Sequence, residues 1–384
     1  MKTTRRDMIN FAGALSLFSL APASLLASRT ATKFLILIEL QGANDGLNTV
    51  VPYGSNLYRR LRPSLAIETN DLLKLDDYVG LHPSLLNVAN LYSLGECKIV
   101  QGLGYPHPNL SHFRSIELWE RGGDGRADGG KGWLIEPLEV LAKDLSFDAK
   151  AMFLDGAGDI FAGGTNGYLS SADLRMILST DLDQSSPSTK IDTSNSLVSE
   201  LVQSRDENRE LLRALKFKIG GLSAYSFGYG DLSDQMKNVC NLIDRGVNIP
   251  VFKVSIGSFD THDMQRWTHK DLLEKLDRAI GETAQQLKRI GVWDDTLIMT
   301  YSEFGRRAKE NGSGGTDHGM AAPHFLLGGS IKGGIVGDYP QLGQLEKDNL
   351  LFSMDYRSVY NFVLSEHFGL SENPFSSYEL NALV

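Results

Sequence analysis

The sequence predicts an α/β fold: a three-layer sandwich in which a mainly parallel central sheet lies between two layers of helices, with a helical insertion. Continuous apolar runs of strand length recur along the chain, as in strands that are buried on both faces. Amphipathic stretches of helical length separate these runs, so successive strands need long crossover connections. Crossovers of this kind join parallel strands and place helices on both faces of the sheet.

The predicted strands begin with residues 33–40, an apolar run that ends in the turn cluster 41–46. Each further strand stops at glycines or at short polar residues; these strands span residues 98–103, 151–154, 250–256, 296–301 and 324–327. The helical patterns between them span residues 83–94, 111–121, 134–143, 195–216 and 267–290. The last helix is the longest, and its apolar residues recur every three or four positions, which predicts one buried face.

Residues from about 170 to 248 interrupt this alternation of strands and helices. The segment 179–196 is rich in Ser, Thr and Asp, which predicts a loop, and the helices after it have no strand between them. We expect a helical insertion here that covers one edge of the sheet. The mature chain is therefore predicted to form one domain over residues 33–384 that contains this insertion.

Residues 1–27 have the pattern of a signal peptide, with a basic start and an apolar run from Phe11 to Ala27 that polar residues interrupt. The run is too short for a membrane span, which needs about 20 apolar residues. The pair Arg5-Arg6 is similar to a twin-arginine export signal, with Met8 where Phe is usual; a general secretory leader is the alternative. We expect a periplasmic or secreted protein without a membrane span, with the twin-arginine export machinery as a partner.

The composition is that of a globular protein. Of the 384 residues, 42% are hydrophobic and 22% are charged, which excludes a disordered chain or a coiled coil. The formal net charge of −9 argues against a nucleic-acid-binding protein, because phosphate recognition needs a cationic surface. Cys97 and Cys240 are the only cysteines, and they either pair in an oxidising compartment or pack in the interior.

Groups that can bind a metal follow several of the predicted strands. Ligands bind at the carboxyl ends of the strands in open α/β sheets, so we expect these groups to converge. Carboxylates and imidazoles together suit zinc, manganese or a similar divalent ion. The candidate metal ligands are Asp45, Asp260, His262, Glu303, Asp317 and His318.

Each candidate also fits a purely structural role. These roles are a turn for Asp45, a helix cap for Asp260, a surface ion pair with Arg306 for Glu303, and a flexible glycine-rich loop for Asp317 and His318. His324, inside a strand, fits a core histidine better than a ligand. The separate structural roles do not explain why so many such residues share one position relative to the strands.

Ser111 is the candidate nucleophile, since it opens a predicted helix after the strand 98–103. A serine hydroxyl is weak until a base or a metal lowers its pKa, and the first N–H groups of a helix favour an anion. Arg114, one turn further on, is predicted to clamp oxygens of that anion. His112 is the alternative reacting group if Ser111 only caps the helix.

The order of these motifs resembles that of the DUF1501 family, whose members carry twin-arginine signals. The resemblance extends over about residues 33–370 and rests on the segments 42–48, 110–114, 259–262, 302–306, 316–319 and 323–329. That family is similar to the alkaline phosphatase and sulfatase superfamily. Membership would imply a parallel α/β sheet, two metal sites, and a Ser, Thr or formylglycine nucleophile at a helix start.

The resemblance also implies roles for single residues. Asp45 corresponds to the metal ligand after the first strand, Ser111 to the nucleophile, and Asp260 with His262 to the ligand pair of the first metal. Glu303 stands where the superfamily has an Asp-His pair, and His318 corresponds to the last histidine ligand. In a second alignment, Asp317 and His318 form that Asp-His pair. One or two divalent ions per chain are implied, zinc first, with manganese, calcium or magnesium as alternatives.

The sequence thus predicts an exported metal-dependent hydrolase of phosphate or sulfate esters that uses a serine nucleophile. Its partner would be a small or polymer-borne anionic ester. The alternative is a non-catalytic exported binding or assembly protein on a degenerate form of the same fold. A formylglycine sulfatase is disfavoured, because the residues after Cys97, Cys240 and Ser111 lack the motif for that modification. A dinucleotide enzyme is disfavoured because residues 156–158 lack a third glycine.

Overall fold

The computed structural model describes residues 32–127, 130–154, 159–164, 166–179, 211, 213–222, 231–380 and 383–384. The predicted signal peptide, the loop predicted at 179–196 except for Ser179, and most of the helix predicted at 195–216 lie outside these residues. Among the described residues, no helix combines the length and the apolar character that a membrane crossing requires.

A mainly parallel sheet forms the centre of the described chain. Its strands are β1 (Phe34–Leu40), β2 (Cys97–Gly104), β3 (Ala151–Phe153), β4 (Tyr168–Ser170), β5 (Val251–Ile256), β6 (Thr296–Tyr301), β7 (Ala322–Leu327), β8 (Gly334–Val336) and β9 (Met354–Asp355). The strands follow the order β8-β2-β7-β6-β1-β5-β3-β4, and β9 also pairs with β2. Each predicted strand is present, and the predicted α/β fold with a mainly parallel sheet is confirmed.

The strand β7 departs from the parallel arrangement, because it runs antiparallel to both β2 and β6. The connection from β6 to β7 contains no crossover helix, so the chain folds back and enters the sheet in the opposite direction. Two small sheets lie outside the main one. In the first of them, Gly305–Arg306 pairs with His318–Gly319. In the second, Gly80–Leu81 is the middle strand and pairs with Val50–Val51 and with Leu73–Lys74.

Helices cover both faces of the sheet. The main helices are α1 (Leu86–Ser93), α2 (His112–Arg121), α3 (Ile135–Asp144), α4 (Ser171–Ser179), α5 (Leu232–Asp244), α6 (Gln265–Ile290) and α7 (Tyr356–Phe362). Short helical turns span Gly46–Thr49, Asn56–Leu61, Asp159–Phe161, Trp293–Asp295 and Val363–His367. The predicted helices 111–121, 134–143 and 267–290 match α2, α3 and α6 within two residues at each end.

Alternate residues of β1 enter two separate hydrophobic cores. Ile36 and Ile38 pack with residues of α1, α5 and α6 on one face. Leu35 and Leu37 pack with residues of α2, α3 and α7 on the other face. Because successive side chains of a strand point to opposite faces, a strand buried on both sides reads as the continuous apolar run seen in the sequence. The three predicted layers are therefore confirmed.

The described part of the predicted insertion contributes α4 and α5. The helix α5 packs against α6 and the inner strand β5, so it lies on a face of the sheet, whereas we expected cover for an edge. Cys97 in β2 and Cys240 in α5 are both buried free thiols, so the disulfide alternative is wrong and both cysteines pack in the interior.

Candidate metal centre

The carboxyl ends of β1, β5 and β6 lie level with one another. Leu40 of β1 pairs with Ile256 of β5, and Glu39 of β1 pairs with Tyr301 of β6. The loops that follow these strands are therefore neighbours. The N–H of Phe259 donates to the carbonyl of Gln41 at 3.0 Å. The convergence expected from the sequence is thus a consequence of strand register.

Three imidazole rings and one carboxylate meet at this edge of the sheet. The Nε2 atom of His318 lies 3.1 Å from Nε2 of His112 and 3.0 Å from Nε2 of His262. The Asp260 carboxylate adjoins all three rings, at 3.0 Å from His262, 3.3 Å from His318 and 3.5 Å from His112. His112 comes from the start of α2, Asp260 and His262 from the loop after β5, and His318 from a short strand before β7.

The other nitrogen of each ring has its own acceptor. Nδ1 of His112 donates to Glu303 at 2.6 Å, and Nδ1 of His318 donates to the carbonyl of Leu110 at 2.9 Å. Nδ1 of His262 faces Asp317 at 3.4 Å. When Nδ1 holds the proton, the lone pair of Nε2 is left for a cation. This outer set of carboxylates and a carbonyl is what orients histidine ligands in metal sites.

The donor set fits a divalent metal. When Nδ1 of His112 and of His318 carries the proton, the lone pairs of the two facing Nε2 atoms are available to a divalent cation. Tetrahedral zinc with bonds of about 2.0–2.1 Å to nitrogen separates its ligand atoms by about 3.3 Å. The ligand atoms of His112, Asp260 and His318 all lie within 4.8 Å of one another, and their closest approaches of 3.1–3.5 Å agree with that spacing, whereas His262 contacts only His318 and Asp260 of this group.

The electrostatics of the cluster also favour a cation. Burial, the largest single effect, would raise the pKa of Glu303, but the hydrogen bonds that its carboxylate accepts, that from His112 first, together lower it. The same hydrogen bond raises the pKa of His112. Burial would likewise raise the pKa of Asp260, yet the guanidinium of Arg306 lowers it. Both carboxylates are therefore ionised at neutral pH and face the ring nitrogens.

Arg306 joins the loops that build the cluster. Its side chain is buried and donates to Asp260 at 2.6 Å, and also to the carbonyl oxygens of Ala43, Thr316, Phe259 and Gly42. The predicted surface ion pair between Glu303 and Arg306 is therefore wrong, because Glu303 pairs with His112 and Arg306 with Asp260. Arg306 positions Asp260 and has no exposed surface for a substrate.

Gly42 permits the close approach of the loops after β1 and β5. Its φ of 106° belongs to the left-handed region, and a Cβ atom there would lie 2.4 Å from the backbone nitrogen of Asp260. The N–H of Gly42 donates to Glu303 at 2.8 Å. The glycine thus holds both the ligand loop and the carboxylate that orients His112.

Asp45 does not join this cluster. It is fully buried, its Oδ2 lies 2.5 Å from Arg62 and its Oδ1 2.9 Å from the same guanidinium, and Gln265 also donates to it. Asp45 also caps the short helix Gly46–Thr49 through the N–H of Leu47. The structure therefore replaces the predicted ligand role with a structural one, in which a guanidinium supplies the positive charge.

The predicted catalytic residues lie at the start of α2. Ser111 occupies the N-cap position, is exposed, and makes no side-chain capping bond, so its hydroxyl is not used by the helix. Arg114 donates to Glu117 on the same helix at 2.7 Å. Its predicted role as an anion clamp is therefore replaced by an ion pair along the helix. His112, expected as an alternative reacting group, instead lies within the cluster of ring nitrogens.

Two of the residues that shape the site were not identified from the sequence as contributing to it. Arg62 follows Asp45 by 17 positions in an irregular region, so no periodicity connects them. The sequence predicts a surface position for Arg306. Its place in the same strand-end loop as Glu303 is the signal that could have located it near the cluster. His324 lies in the core as expected, against Trp119, and burial lowers its pKa to about 3.

Residues 223–358 match the model of a family described as a protein of unknown function, DUF1501. The matched segment contains the motifs around Asp260, Glu303 and His318, and the predicted resemblance to this family is confirmed. No curated protein matches the chain.

Several solved structures are similar to this chain. One is a protein of the alkaline phosphatase superfamily from Vibrio parahaemolyticus, with 11% identity and a TM-score of 0.38 over 79% of this chain and 62% of that one. The sulfatase PsFucS1 from Pseudoalteromonas sp. shows 13% identity and a TM-score of 0.41 over 98% and 74% of the two chains. The zinc complex of the C-terminal periplasmic domain of EcEptC from Escherichia coli shows 7% identity and a TM-score of 0.38 over 78% and 74%. The similarity to the Vibrio protein, at 62% of its length, covers less than two thirds of that protein.

Proposed function

We propose that this chain is an exported, metal-dependent hydrolase that cleaves phosphate or sulfate esters in the periplasm or outside the cell. The proposal is supported most directly by the ligand atoms of His112, Asp260 and His318, which all lie within 4.8 Å of one another. They lie beside the first turn of α2, whose N–H groups favour an anion. A site that holds a cation next to such donors has the two capacities that hydrolysis of an anionic ester requires.

The ion would be held by His112, Asp260 and His318, whose ligand atoms all lie within 4.8 Å of one another. Imidazole-rich ligand sets favour zinc, whereas magnesium and calcium prefer oxygen ligands and manganese accepts both. One ion per chain fits this set of donors, because Arg62 already occupies both oxygens of Asp45. When bound, the ion would act as a Lewis acid toward an oxygen of the ester.

Ser111 supplies the nucleophile in this proposal. Its Oγ attacks the phosphorus or sulfur atom and forms a bond to it, the bond to the alcohol oxygen breaks, and the alcohol leaves with the serine proton. Water then attacks the serine ester, which restores the hydroxyl and releases phosphate or sulfate. The first N–H groups of α2 take over the anion binding that we expected from Arg114, whose guanidinium pairs with Glu117.

The outer residues keep the ligands in place. Glu303 fixes the ring of His112, and Arg306 fixes the carboxylate of Asp260. Neither touches the ester in this proposal. Ligand side chains that are already held in position lose little conformational entropy when they bind the metal.

A second candidate function is a non-catalytic exported protein that binds an anion or a surface polymer. The ion pair between Asp45 and Arg62 favours it, because this pair leaves the site without a second metal-binding carboxylate. The two candidates differ in chemistry: the first turns over an ester, and the second binds without cleaving.

The test measures metal content and hydrolysis on the protein purified after natural export. Zinc is determined by elemental analysis for the wild type, His318→Ala and His107→Ala. The variant His107→Ala is the control, because it removes an exposed histidine outside the cluster. We expect about one zinc ion per chain in the wild type and in His107→Ala, and a clear loss in His318→Ala.

The same proteins are then assayed with aryl phosphate, phosphodiester and sulfate esters, together with Ser111→Ala. We expect hydrolysis of at least one class by the wild type, and a loss of about 100-fold or more in Ser111→Ala with zinc retained. Zinc-bound protein that is inert to every ester would favour the binding function. Protein that holds no metal after export would overturn the proposal.

A further inference from the structure

A chain of hydrogen bonds through two buried hydroxyl groups runs beneath the start of α2. Tyr105 directly follows β2 and is 1% exposed. Ser115 lies in α2 and is fully buried. The two hydroxyl oxygens are 2.7 Å apart. Buried hydroxyl groups need partners inside the protein, so this contact fixes both side chains.

One end of the chain reaches the residue that orients the ring of His112. The hydroxyl of Ser115 donates to the carbonyl oxygen of Glu303. The carboxylate of Glu303 accepts from Nδ1 of His112 at 2.6 Å. Helix α2 therefore contacts Glu303 twice, through its first residue and through the residue three positions later. These two contacts hold the helix against the loop that follows β6.

The other end of the chain reaches the candidate nucleophile. The single hydrogen of the Ser115 hydroxyl is used in the bond just described, so the Tyr105 hydroxyl donates to Ser115 and can itself accept. It accepts from the N–H of Asn109 at 3.0 Å and also lies 3.3 Å from the carbonyl oxygen of Asn109. The Oδ1 atom of Asn109 accepts from the N–H of Ser111 at 2.8 Å. Tyr105 thus connects the loop that carries Ser111 to α2.

The ring of Tyr105 is itself held in place. It packs edge to face against the ring of Tyr356, with 5.9 Å between the centroids, and Tyr356 stacks on Trp119 of α2 at 4.2 Å. Burial raises the pKa of Tyr105, so its hydroxyl keeps its proton at neutral pH and remains a donor. The connection between the loop and the helix therefore has a fixed position.

We propose that Tyr105 is a positioning residue for the hydrolysis: through Asn109 and Ser115 it fixes the backbone before Ser111, and with it the direction of the Ser111 hydroxyl relative to the Glu303 loop. The inference rests on the proposed function, because it takes Ser111 as the nucleophile. The Tyr105 hydroxyl touches neither the ester nor the ion. Misplacing a reacting group by about 1 Å can cost about 100-fold in rate, so a group that fixes its loop contributes to kcat.

The test compares Tyr105→Phe with Tyr356→Phe in the exported, zinc-loaded protein. Tyr356 is the matched control, because it is also buried and its hydroxyl also makes two hydrogen bonds, to the carbonyl oxygens of Leu118 at 2.8 Å and Gly123 at 2.5 Å. These bonds hold the far end of α2, away from Ser111. We would measure kcat and KM with the ester that the wild type hydrolyses fastest, zinc affinity by competition with a chelator, and the free energy of unfolding in urea.

Both variants should lose a similar free energy of unfolding, and only Tyr105→Phe should lose rate. We expect its kcat and kcat/KM to fall by about tenfold with KM and zinc affinity unchanged, as for a contribution made only in the transition state. Tyr356→Phe should keep the wild-type kcat. Ser115→Ala, which removes the partner of Tyr105, should also lower kcat. The double variant should lose less than the product of the two single effects, because both hydroxyls belong to one chain.

A wild-type kcat in Tyr105→Phe would overturn the positioning role and leave the proposed function intact. Equal losses of kcat in Tyr105→Phe and Tyr356→Phe would also overturn it, because the rate would then follow the stability of α2 alone. A weaker zinc affinity in Tyr105→Phe, or fully multiplicative losses in the double variant with Ser115→Ala, would refute it as well. A wild type that hydrolyses no ester overturns the proposed function, and the positioning role fails with it.

Discussion

Nε2 of His262 lies 3.0 Å from Nε2 of His318, and each ring turns its Nδ1 atom toward a different acceptor. With a proton on each Nδ1, both Nε2 lone pairs would be available to a cation bound at His318. Nη1 of Arg306 also faces Nε2 of His262, at 3.5 Å.

Glu303→Gln should weaken zinc binding by about 10- to 100-fold, because a neutral amide oxygen is a weaker acceptor than the carboxylate that orients the ring of His112. Zinc affinity is measured by competition with a chromogenic chelator. Glu310→Gln is the control, since Glu310 accepts hydrogen bonds from the backbone of Ser64 and Leu65 and contacts none of the ligands. Equal zinc affinity in both variants would contradict the orienting role.

Arg306→Lys should lower the free energy of unfolding by at least about 2 kcal/mol, because one ammonium cannot serve the carbonyl oxygens that the guanidinium joins. Asp260 would also lose its fixed position, so zinc affinity should fall. Urea unfolding of the metal-free protein gives the first quantity. Arg307→Lys should change neither, since Arg307 is partly exposed and lies 3.8 Å from Asp317.

Asp45→Asn should lower the free energy of unfolding by about 3–5 kcal/mol, because it leaves Arg62 buried without its counter-charge. Zinc affinity should remain within about twofold of the wild type, because Asp45 contacts no member of the cluster. Loss of zinc with unchanged stability would reinstate Asp45 as a ligand. Arg62→Met should be destabilising by a similar amount, and Arg59→Met, which breaks an exposed pair with Glu68, by less than about 1 kcal/mol.

Gly42→Ala should destabilise the protein and weaken zinc binding, because the new methyl group would lie 2.4 Å from the backbone of Asp260. Gly291→Ala is the matched control. Gly291 also has a left-handed backbone, with φ of 83°, but no atom lies within 4 Å of the position of its Cβ. Backbone strain should lower the free energy of unfolding of both variants by about 1 kcal/mol. Only Gly42→Ala should show a larger decrease in this free energy and a weaker affinity for zinc.

The stability of the metal-free protein should fall as the pH decreases from about 6.5 toward 4. Burial lowers the pKa of His324 to about 3 and that of His367 to about 4. The unfolded chain, with pKa values near 6.5, then binds more protons than the folded one, so acid favours unfolding by about 1.4 kcal/mol per pH unit and per histidine.

Urea unfolding at several pH values tests this dependence. His324→Phe should reduce the slope by about one proton, whereas His107→Phe, at an exposed position, should leave it unchanged. A slope that is the same in all three proteins would contradict the assignment to His324.

The layers and most helix bounds could be predicted because they follow from local periodicity. The helix 267–290 differs from α6 only at its start, where Met264 turns left-handed and the helix begins at Gln265. The direction of β7 could not be predicted in this way, since apolar runs look alike in parallel and antiparallel strands. It depends on the connection after β6, which lacks a helix.

The site was predicted less completely. Asp260, His262, Glu303 and His318 were placed near one another because each follows a strand, and strand ends meet at one edge. The separation of Asp45 from them depends on Arg62, and the position of Arg114 depends on Glu117. Such side-chain pairs are formed by tertiary packing and leave no periodic trace in the sequence.

His112 and His318 are 206 positions apart in the chain, and both face the same point. An unfolded chain would offer a cation only pairs that are close in the sequence, such as Asp260 with His262 or Asp317 with His318, since bringing distant donors together requires closure of long loops. Capture of an ion by the whole set would then follow formation of the sheet. The compartment where the polypeptide folds, with the free metal concentrations that prevail there, would decide which element a metal-binding centre acquires.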